Sequence, residues 1–296
     1  MTDLDAPISQ AATSRGILLM LTAIALFTAM DALAKFLIGH YPTLQVIWAR
    51  YTGQTVIVAL FLGRRLGPLL RTRYPALQAF RSACQFGATA LFFASLGFIG
   101  LAEATAITDI NPVLITLGAA LFLGEKLGPR RIFGVLAALC GALIVIRPGL
   151  GVFTPAALLP VGCAIAYAGY ALATRRVGRD ESAWTSLIYA ALLGTIVTSI
   201  ALPLVWQPIA LIHIPIFLAL GLLGATAQFC LIRAFTMTEA SAIAPFGYVG
   251  IVFASFWGIV LFAEYPDGFT ILGALVIVAA GLYVWHRETQ SAQAKG

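Results

Sequence analysis

Charged residues are scarce in this sequence. Only 10% of its 296 residues are Asp, Glu, Lys or Arg, whereas 60% are hydrophobic and the mean hydropathy is +0.95. A soluble domain usually has about 25% charged and about 45–50% apolar residues. A soluble core could not hide this much apolar surface, but a lipid bilayer can cover it. The composition therefore predicts an integral membrane protein.

The sequence also lacks the motifs of several enzyme and binding classes. It has no GxxxxGK[ST] phosphate loop, which argues against ATP hydrolysis, and no HExxH or Cys/His cluster with metal-ligand spacing. Its four cysteines form no CxxC pair, so we interpret them as packing residues. The net charge of +6 does not indicate nucleic-acid binding, because the basic residues sit in short loops without interleaved aromatics. We expect no metal, no cofactor, no nucleic-acid partner and no enzymatic activity.

Long apolar runs fill most of the chain. A helix that crosses about 30 Å of hydrocarbon needs roughly 20 apolar residues, and by this rule the sequence contains ten spans. They run about 16–38, 44–63, 79–100, 104–124, 131–147, 154–174, 184–206, 211–233, 240–263 and 268–286. The turns between them are short. We therefore predict an all-α integral membrane protein of ten transmembrane helices, with tails at 1–15 and 287–296.

The basic residues predict the orientation of these spans. If the N-terminus is cytoplasmic, only Arg147 falls in an outer loop, and Lys35 and Arg50 fall inside spans. The remaining Lys and Arg, including Arg81 near the start of the third span, lie on the inner side, as the positive-inside rule requires. Both tails are then cytoplasmic, in a multi-pass protein of the inner membrane.

One design occurs twice along the chain. EATAI at 103–107 and EASAI at 239–243 each open a long apolar run that ends at an acidic residue. This self-similarity indicates two repeats, here 16–149 and 154–286. Because each repeat holds five spans, the second is inverted in the membrane relative to the first. In transporters, inverted repeats place the substrate site between the two halves.

The two halves resemble EamA domains of the drug/metabolite transporter superfamily. The first copy, LAEATAITDINPVLITLGAALFLGEKLGPRRIFGVLAALCGALIVIRPG at 101–149, is similar to that family's small-residue-rich helix with a proline, LGE end, basic turn and closing RPG. The second copy, at 239–284, keeps the early proline and the acidic end but has FAEY instead of LGE and no RPG. The resemblance implies a transporter. It leaves the substrate open, because members carry amino acids, vitamins, nucleotide-related metabolites and drugs.

Three charged residues reach a similar depth in different spans. Asp31 lies in the outer half of the first span, and Arg50 and Asp109 enter the second and fourth spans to a depth of about 9 Å. Charge at membrane depth is costly and usually marks a pathway or a site. We interpret the three as lining a central cavity, with Asp31 and Asp109 as candidate proton carriers. The alternative is structural ion pairs, Asp31 with Lys35 or Arg50 with Asp109.

Other residues in the spans are candidates for the same cavity. Uncharged polar side chains bind substrates or hold helices together, and aromatic rings stack on planar substrates or fill cores. These candidates are Gln54, Gln85, Asn111, Tyr167, Tyr170, Gln228, Tyr248 and Trp257. Pro112 and Pro245 are candidate gating kinks, the alternative being static packing kinks. We interpret Glu125 and Glu264 as structural, hydrogen-bonding exposed backbone or neighbouring basic residues.

Together these features predict a secondary transporter that moves a small organic metabolite by alternating access, as a monomer or a homodimer in the lipid bilayer. Within the family, the chain looks closest to uptake-type members, so riboflavin is the first expected substrate and S-adenosylmethionine the second. Export of amino acids, particularly aromatic ones, or of other metabolites is the alternative. A non-transporting membrane enzyme or partner protein is the alternative of another class, although the sequence shows no clustered catalytic set.

Overall fold

The computed structural model describes residues 10–111, 113–115, 117–118, 129–146, 155–177, 181–237 and 244–293. These residues form helices and turns. The principal helices are α1 (Gln10–Ile38), α2 (Thr43–Leu62), α3 (Pro75–Leu96), α4 (Leu101–Thr108), α5 (Pro129–Ile146), α6 (Leu158–Val177), α7 (Ala183–Ala201), α8 (Ile214–Met237), α9 (Val249–Phe262) and α10 (Gly268–Gln293). Shorter helical turns occupy Gly63–Arg65, Leu66–Leu69, Pro155–Ala157, Leu202–Leu204, Leu211–His213 and Ala244–Tyr248. The predicted all-α class is confirmed.

Five described helical segments are long and apolar enough to cross a membrane. They are Arg15–Ile38, Thr43–Leu69, Pro155–Thr174, Ala183–Leu204 and Leu211–Ala234. Large apolar side chains remain exposed on the outside of the bundle, among them Leu60 at 77% and Phe61 at 73%. Lipid would cover such surfaces, whereas water would not favour them. The count of ten spans and their inverted arrangement stay predictions.

Each major helix contact has a counterpart, formed by the equivalent helices of the two predicted halves. α1 packs extensively against α8, and α6, the counterpart of α1, packs against α3, the counterpart of α8. In the same way, α2 contacts α8 while α7 contacts α3. α5 and α10, which are counterparts of each other, also pack together. All of these contacts join one predicted half to the other.

Two of these contacts bring backbones together with no side chain between them. A Cβ atom built on Gly221 of α8 would lie 2.5 Å from the Cα atom of Gly53 in α2. A Cβ atom built on Gly273 of α10 would lie 2.6 Å from the carbonyl oxygen of Gly141 in α5. Small residues allow this close approach in membrane helix packing. Glycine is therefore required for the observed spacing of both helix pairs.

The chain loses regular helical structure at similar places in the two halves. α4 ends at Thr108, and Asp109 and Ile110 form a turn before helical backbone resumes. In the second half, the 3-10 turn Ala244–Tyr248, which contains Pro245, precedes α9. Backbone that leaves the helix at membrane depth is tolerated where it lines a cavity or finds new partners. The other predicted kink, Pro112, and the acidic residue Glu125 lie outside the described residues.

The end of α9 is turned back by a residue in the left-handed region. Ala263 has φ 53° and its N–H bonds to Ile259 O at 3.1 Å, while the N–H of Glu264 bonds to Gly258 O at 3.0 Å. The bond from Ala263 back to Ile259, with Ala263 left-handed, is that of the αL helix end, where glycine is the usual residue. Alanine at this position carries about 1–2 kcal/mol of backbone strain. The turn places Glu264 beside the end of α1.

Candidate functional site

Arg50 is held inside the bundle without an acidic partner in direct contact. Its side chain on α2 is 6% exposed, and its Nη1 donates to Thr89 Oγ1 on α3 at 3.1 Å. The guanidinium carbon lies 5.6 Å from the ring centre of Tyr51 and 5.3 Å from that of Phe93. These rings offer cation–π stabilisation. Its Nε has no hydrogen-bond partner within the described residues, so a buried donor remains free.

Asp31 lies near Arg50 without touching it. The Asp31 carboxylate on α1 interacts electrostatically with Arg50, and both charges interact with the thiol of Cys163 on α6. No oxygen of Asp31 comes within 4.0 Å of a nitrogen of Arg50 or of Lys35. No oxygen of Asp109 lies within 4.0 Å of a nitrogen of Arg50 either, so neither ion pair considered for the sequence, Asp31 with Lys35 or Arg50 with Asp109, is formed. Asp31 as a residue is partly buried.

Asp109 forms a second polar patch where α4 ends. Its carboxylate interacts electrostatically with Tyr167 and Tyr248, and its Oδ2 has no hydrogen-bond partner among the residues the structure describes. The same holds for Oδ1 of Asn111 and the hydroxyl of Tyr248, both within that part of the chain. Buried polar atoms are normally paired. This patch therefore has spare hydrogen-bonding capacity that a ligand or a proton can use.

Tyr170 connects the central charges to a further polar cluster. The rings of Tyr167 and Tyr170 lie 5.5 Å apart on α6. The Tyr170 hydroxyl accepts hydrogen bonds from Nη2 of Arg81 and from Nε2 of Gln228, both at 3.1 Å. Tyr170 also interacts electrostatically with Tyr51, beside Arg50. A continuous set of polar side chains thus joins α1, α2, α3, α4, α6 and α8.

Arg81 is a buried polar residue that is absent from the predicted site. The sequence predicted only that it lies on the inner side, and the structure places it 1% exposed inside α3. Its Nε donates to Thr174 Oγ1 and its Nη1 to Ser186 O, both at 2.7 Å. A pattern that could have revealed it is the polar stripe of α3 at helical spacing. That stripe consists of Gln78, Arg81, Gln85 and Thr89.

The remaining predicted residues divide between the site and the core. Gln54 is buried beside Arg50, and both side chains face Gly224 of α8. Gln85 lies next to Tyr51, whose hydroxyl approaches the Gln85 carbonyl oxygen at 3.4 Å. Trp257 instead packs on a hydrophobic cluster, its ring 5.1 Å from that of Phe256. The structure therefore gathers most candidates together but leaves Trp257 in an apolar environment.

At the end of the bundle that holds the α1–α2 turn, one ion pair links the halves. Lys35 Nζ lies 2.6 Å from Glu264 Oε1 and donates to Ile99 O at 2.8 Å. Glu264 Oε2 accepts from the N–H of Leu101 at 3.1 Å. Glu264 therefore binds both exposed backbone and a basic residue, as predicted. A groove of about 330 Å³ lies beside Lys35 and Phe262.

At the opposite end, Glu181 links the α2–α3 loop to the start of α7. Its carboxylate accepts hydrogen bonds from the Thr72 hydroxyl, the N–H of Arg73 at 2.6 Å and Nε2 of Gln78 at 2.6 Å. Partial burial alone would raise the pKa of Glu181, but these hydrogen bonds outweigh it and hold the pKa below its usual value of 4.5. Polar contacts therefore join the two predicted halves at both ends of the bundle.

The model of the EamA-like transporter family matches residues 14–147 and 154–285. The chain belongs to this family. The structure provides no metal centre in its described part, where no group of three or more His, Cys, Asp or Glu side chains could hold an ion. The family assignment and the apolar helices make the chain a multi-pass membrane protein of a transporter family whose members act on small molecules.

Several curated relatives align with nearly the whole chain. The pseudopaline exporter CntI of Pseudomonas aeruginosa is 29% identical over 90% of this chain and 94% of its own. The riboflavin transporter of Vibrio cholerae is 27% identical over 94% and 95%. The S-adenosylmethionine uptake transporter of Rickettsia bellii is 25% identical over 95% and 97%. A solved crystal structure with 23% identity shares the fold, with a TM-score of 0.65 over 92% of this chain and 96% of its own.

Proposed function

We propose that this chain is a secondary active transporter that moves a small organic metabolite across the inner membrane by alternating access. The observation that carries the proposal is the presence of charged side chains inside the bundle without direct ion-pair partners. Asp31 and Arg50 interact with each other and with Cys163, and Asp109, just after α4, interacts with Tyr167. A scaffold would gain little from desolvated, unpaired charges, whereas a polar substrate would be bound by them.

The packing of the helices supports alternating access. The contacts between α1 and α8 and between α6 and α3 are counterparts of each other, as expected for two inverted repeats. Two matches of the family model, at 14–147 and 154–285, also support a two-repeat organisation. The Lys35–Glu264 pair and the Glu181 contacts cross between the halves at opposite ends. Breaking one set while keeping the other would open the chain to one side at a time.

The relatives name the substrates to test first. Riboflavin and S-adenosylmethionine are each carried by a relative that aligns with more than nine-tenths of this chain. Uptake of one of these compounds is the primary proposal. The exporter from Pseudomonas aeruginosa, at 29% identity, favours metabolite export as a second candidate. Asp31 and Asp109 are the residues proposed to carry a coupled proton in either direction.

Counterflow in proteoliposomes tests the proposal. Vesicles loaded with unlabelled riboflavin or S-adenosylmethionine are diluted into a trace of the same labelled compound. A transporter accumulates label only in vesicles that contain its substrate. Variants Asp31→Asn, Arg50→Gln and Asp109→Asn should lower the initial rate at least tenfold, whereas Arg176→Gln, at an exposed arginine at the end of α6, should not.

The outcomes separate the parts of the proposal. No counterflow with either compound, from folded protein, rejects both substrates. Full activity in all three variants rejects the assignment of the site. A pH gradient of either polarity, imposed on active vesicles, shows the preferred direction. Rates that ignore the gradient would contradict proton coupling.

A further inference from the structure

We propose that Arg50 and Asp31 together bind the head group of an amino acid, with the substrate carboxylate at Arg50 and its ammonium group at Asp31. This inference rests on the proposed function and narrows its substrate class. It favours S-adenosylmethionine and free amino acids, which carry both groups, over riboflavin, which is uncharged. The ligand chemistry is that of a zwitterion with a short distance between its charges.

The first observation is the state of the Arg50 guanidinium. Arginine has five N–H donors in a planar fork that matches a carboxylate. One nitrogen of Arg50 donates to Thr89, and the Nε donor has no partner within the described residues although the side chain is 6% exposed. The rings of Tyr51 and Phe93 flank the guanidinium and stabilise its charge. They cannot accept the in-plane hydrogen bonds that a carboxylate would.

The second observation is the separation between the two charges. Asp31 and Arg50 interact electrostatically, yet no nitrogen–oxygen distance between them is as short as 4.0 Å. Two opposite charges that pair directly would neutralise each other and leave nothing for a ligand. Here the two side chains form no direct ion pair with each other. A ligand that places a carboxylate at one and an ammonium group at the other pairs both.

Other ligand classes satisfy this arrangement less well. A simple anion would pair with Arg50 but be repelled by Asp31. A simple cation would pair with Asp31 but be repelled by Arg50. A neutral ligand that displaces water would leave both charges desolvated and unpaired, which is strongly unfavourable. The surrounding aromatic groups, Tyr167 and Tyr170, suit the organic remainder of the molecule. Only a zwitterion compensates both charges together.

A set of chemically blocked ligands tests the proposal on the purified, full-length protein. The compounds are S-adenosylmethionine, its decarboxylated form, tryptophan and phenylalanine with their methyl esters and N-acetyl derivatives, and riboflavin. Binding is measured by the rise in melting temperature in detergent and by calorimetry. Wild-type protein should bind at least one free amino-acid compound tenfold or more tightly than both of its blocked forms.

The variants assign each group to its partner. In Arg50→Gln the preference for a free carboxylate over its ester should vanish while the preference for a free amine remains. In Asp31→Asn the preference for the amine should vanish while that for the carboxylate remains. Arg50→Lys keeps the charge without the fork and should lie between wild type and Arg50→Gln. Arg176→Gln is the matched control and should behave as wild type.

Results that contradict the amino-acid binding site can be distinguished from results that contradict the transport function. Counterflow of riboflavin by a protein that binds no amino-acid compound overturns the inference but leaves the transporter. Equal affinity for free and blocked compounds also overturns it, and this result needs only wild-type protein if the variants fail to fold. Selective amino-acid binding without counterflow supports the binding site and rejects the transport proposal. Absence of binding by every amino-acid compound overturns the inference.

Discussion

Lys35 Nζ lies 2.6 Å from Glu264 Oε1, and this pair joins the end of α1 to the residue that follows the left-handed turn at the end of α9. The same ammonium group donates to Ile99 O. Lysine and glutamate are therefore both fixed by backbone contacts as well as by each other. The sequence had suggested Asp31, on the same helix, as the ion-pair partner of Lys35.

The stability losses caused by removing Lys35 and by removing Glu264 should not add up, because the two residues form one ion pair. The double variant Lys35→Gln, Glu264→Gln should lose less melting temperature than the sum of the single variants, because either single change removes the same ion pair. Glu264 keeps 35% of its side-chain surface exposed, so solvent screening limits the coupling to about 0.5–1 kcal/mol. Melting at low and high salt checks this. Strictly additive losses would show that the charges act independently.

Acid should selectively weaken the contacts of Glu181. Because its folded pKa lies below its usual value, its stabilising contribution is complete above pH 4.5 and is lost as pH falls through the folded pKa. Glu181→Gln should therefore lower the melting temperature at pH 7, and the difference from wild type should shrink below pH 4.5. Thr72→Val removes one donor and should move this transition to higher pH. A difference that is constant from pH 7 to pH 3.5 would contradict the prediction.

Tyr170→Phe should be costly although it removes only one oxygen. The hydroxyl accepts from Arg81 and from Gln228, so the variant leaves two buried donors without this acceptor. Each buried unsatisfied group costs about 1–3 kcal/mol, and we expect a loss of about 2 kcal/mol or more in the free energy of unfolding. Tyr167→Phe, in the neighbouring turn of α6, is the control and should lose less. Denaturant titration of both variants in detergent decides the order.

Alanine in place of Gly221, at the contact between α2 and α8, should lower the stability of the folded protein because its Cβ atom has no room. The Cβ atom of Gly221→Ala would lie 2.5 Å from Gly53 Cα, which is backbone and cannot move aside. Overpacking of this kind costs about 1–3 kcal/mol. Gly67→Ala is the matched control, because a Cβ atom there meets nothing within 4 Å. Thermal melting should separate the two, and an unchanged melting temperature in Gly221→Ala would show that the helices can move apart freely.

The all-α class and the charged candidates for the site could be predicted from the sequence, because membrane burial constrains each residue individually. Asp31, Arg50 and Asp109 were identifiable as charges in apolar runs. The absence of direct ion pairs among them was not predictable, since it depends on rotamers and on which helices pack together. The burial of Arg81 was not predictable, because a basic residue near the end of a span can lie either on the surface or in the interior. The polar stripe that decides between them becomes visible only when the helical face is considered.

The contact of Gly53 with Gly221 is suited to be a pivot point between α2 and α8. Gly53 lies at the middle of α2, so each end of that helix is a lever arm of about 14 Å. If the halves rock about this point, a rotation of about 10° displaces an arm's tip by roughly 2.4 Å. That displacement is comparable to the 2.6 Å that separates Lys35 from Glu264. Because no side chains interlock at the Gly53–Gly221 contact, a small rotation there would separate one end of the bundle without repacking of the helices at their midpoint.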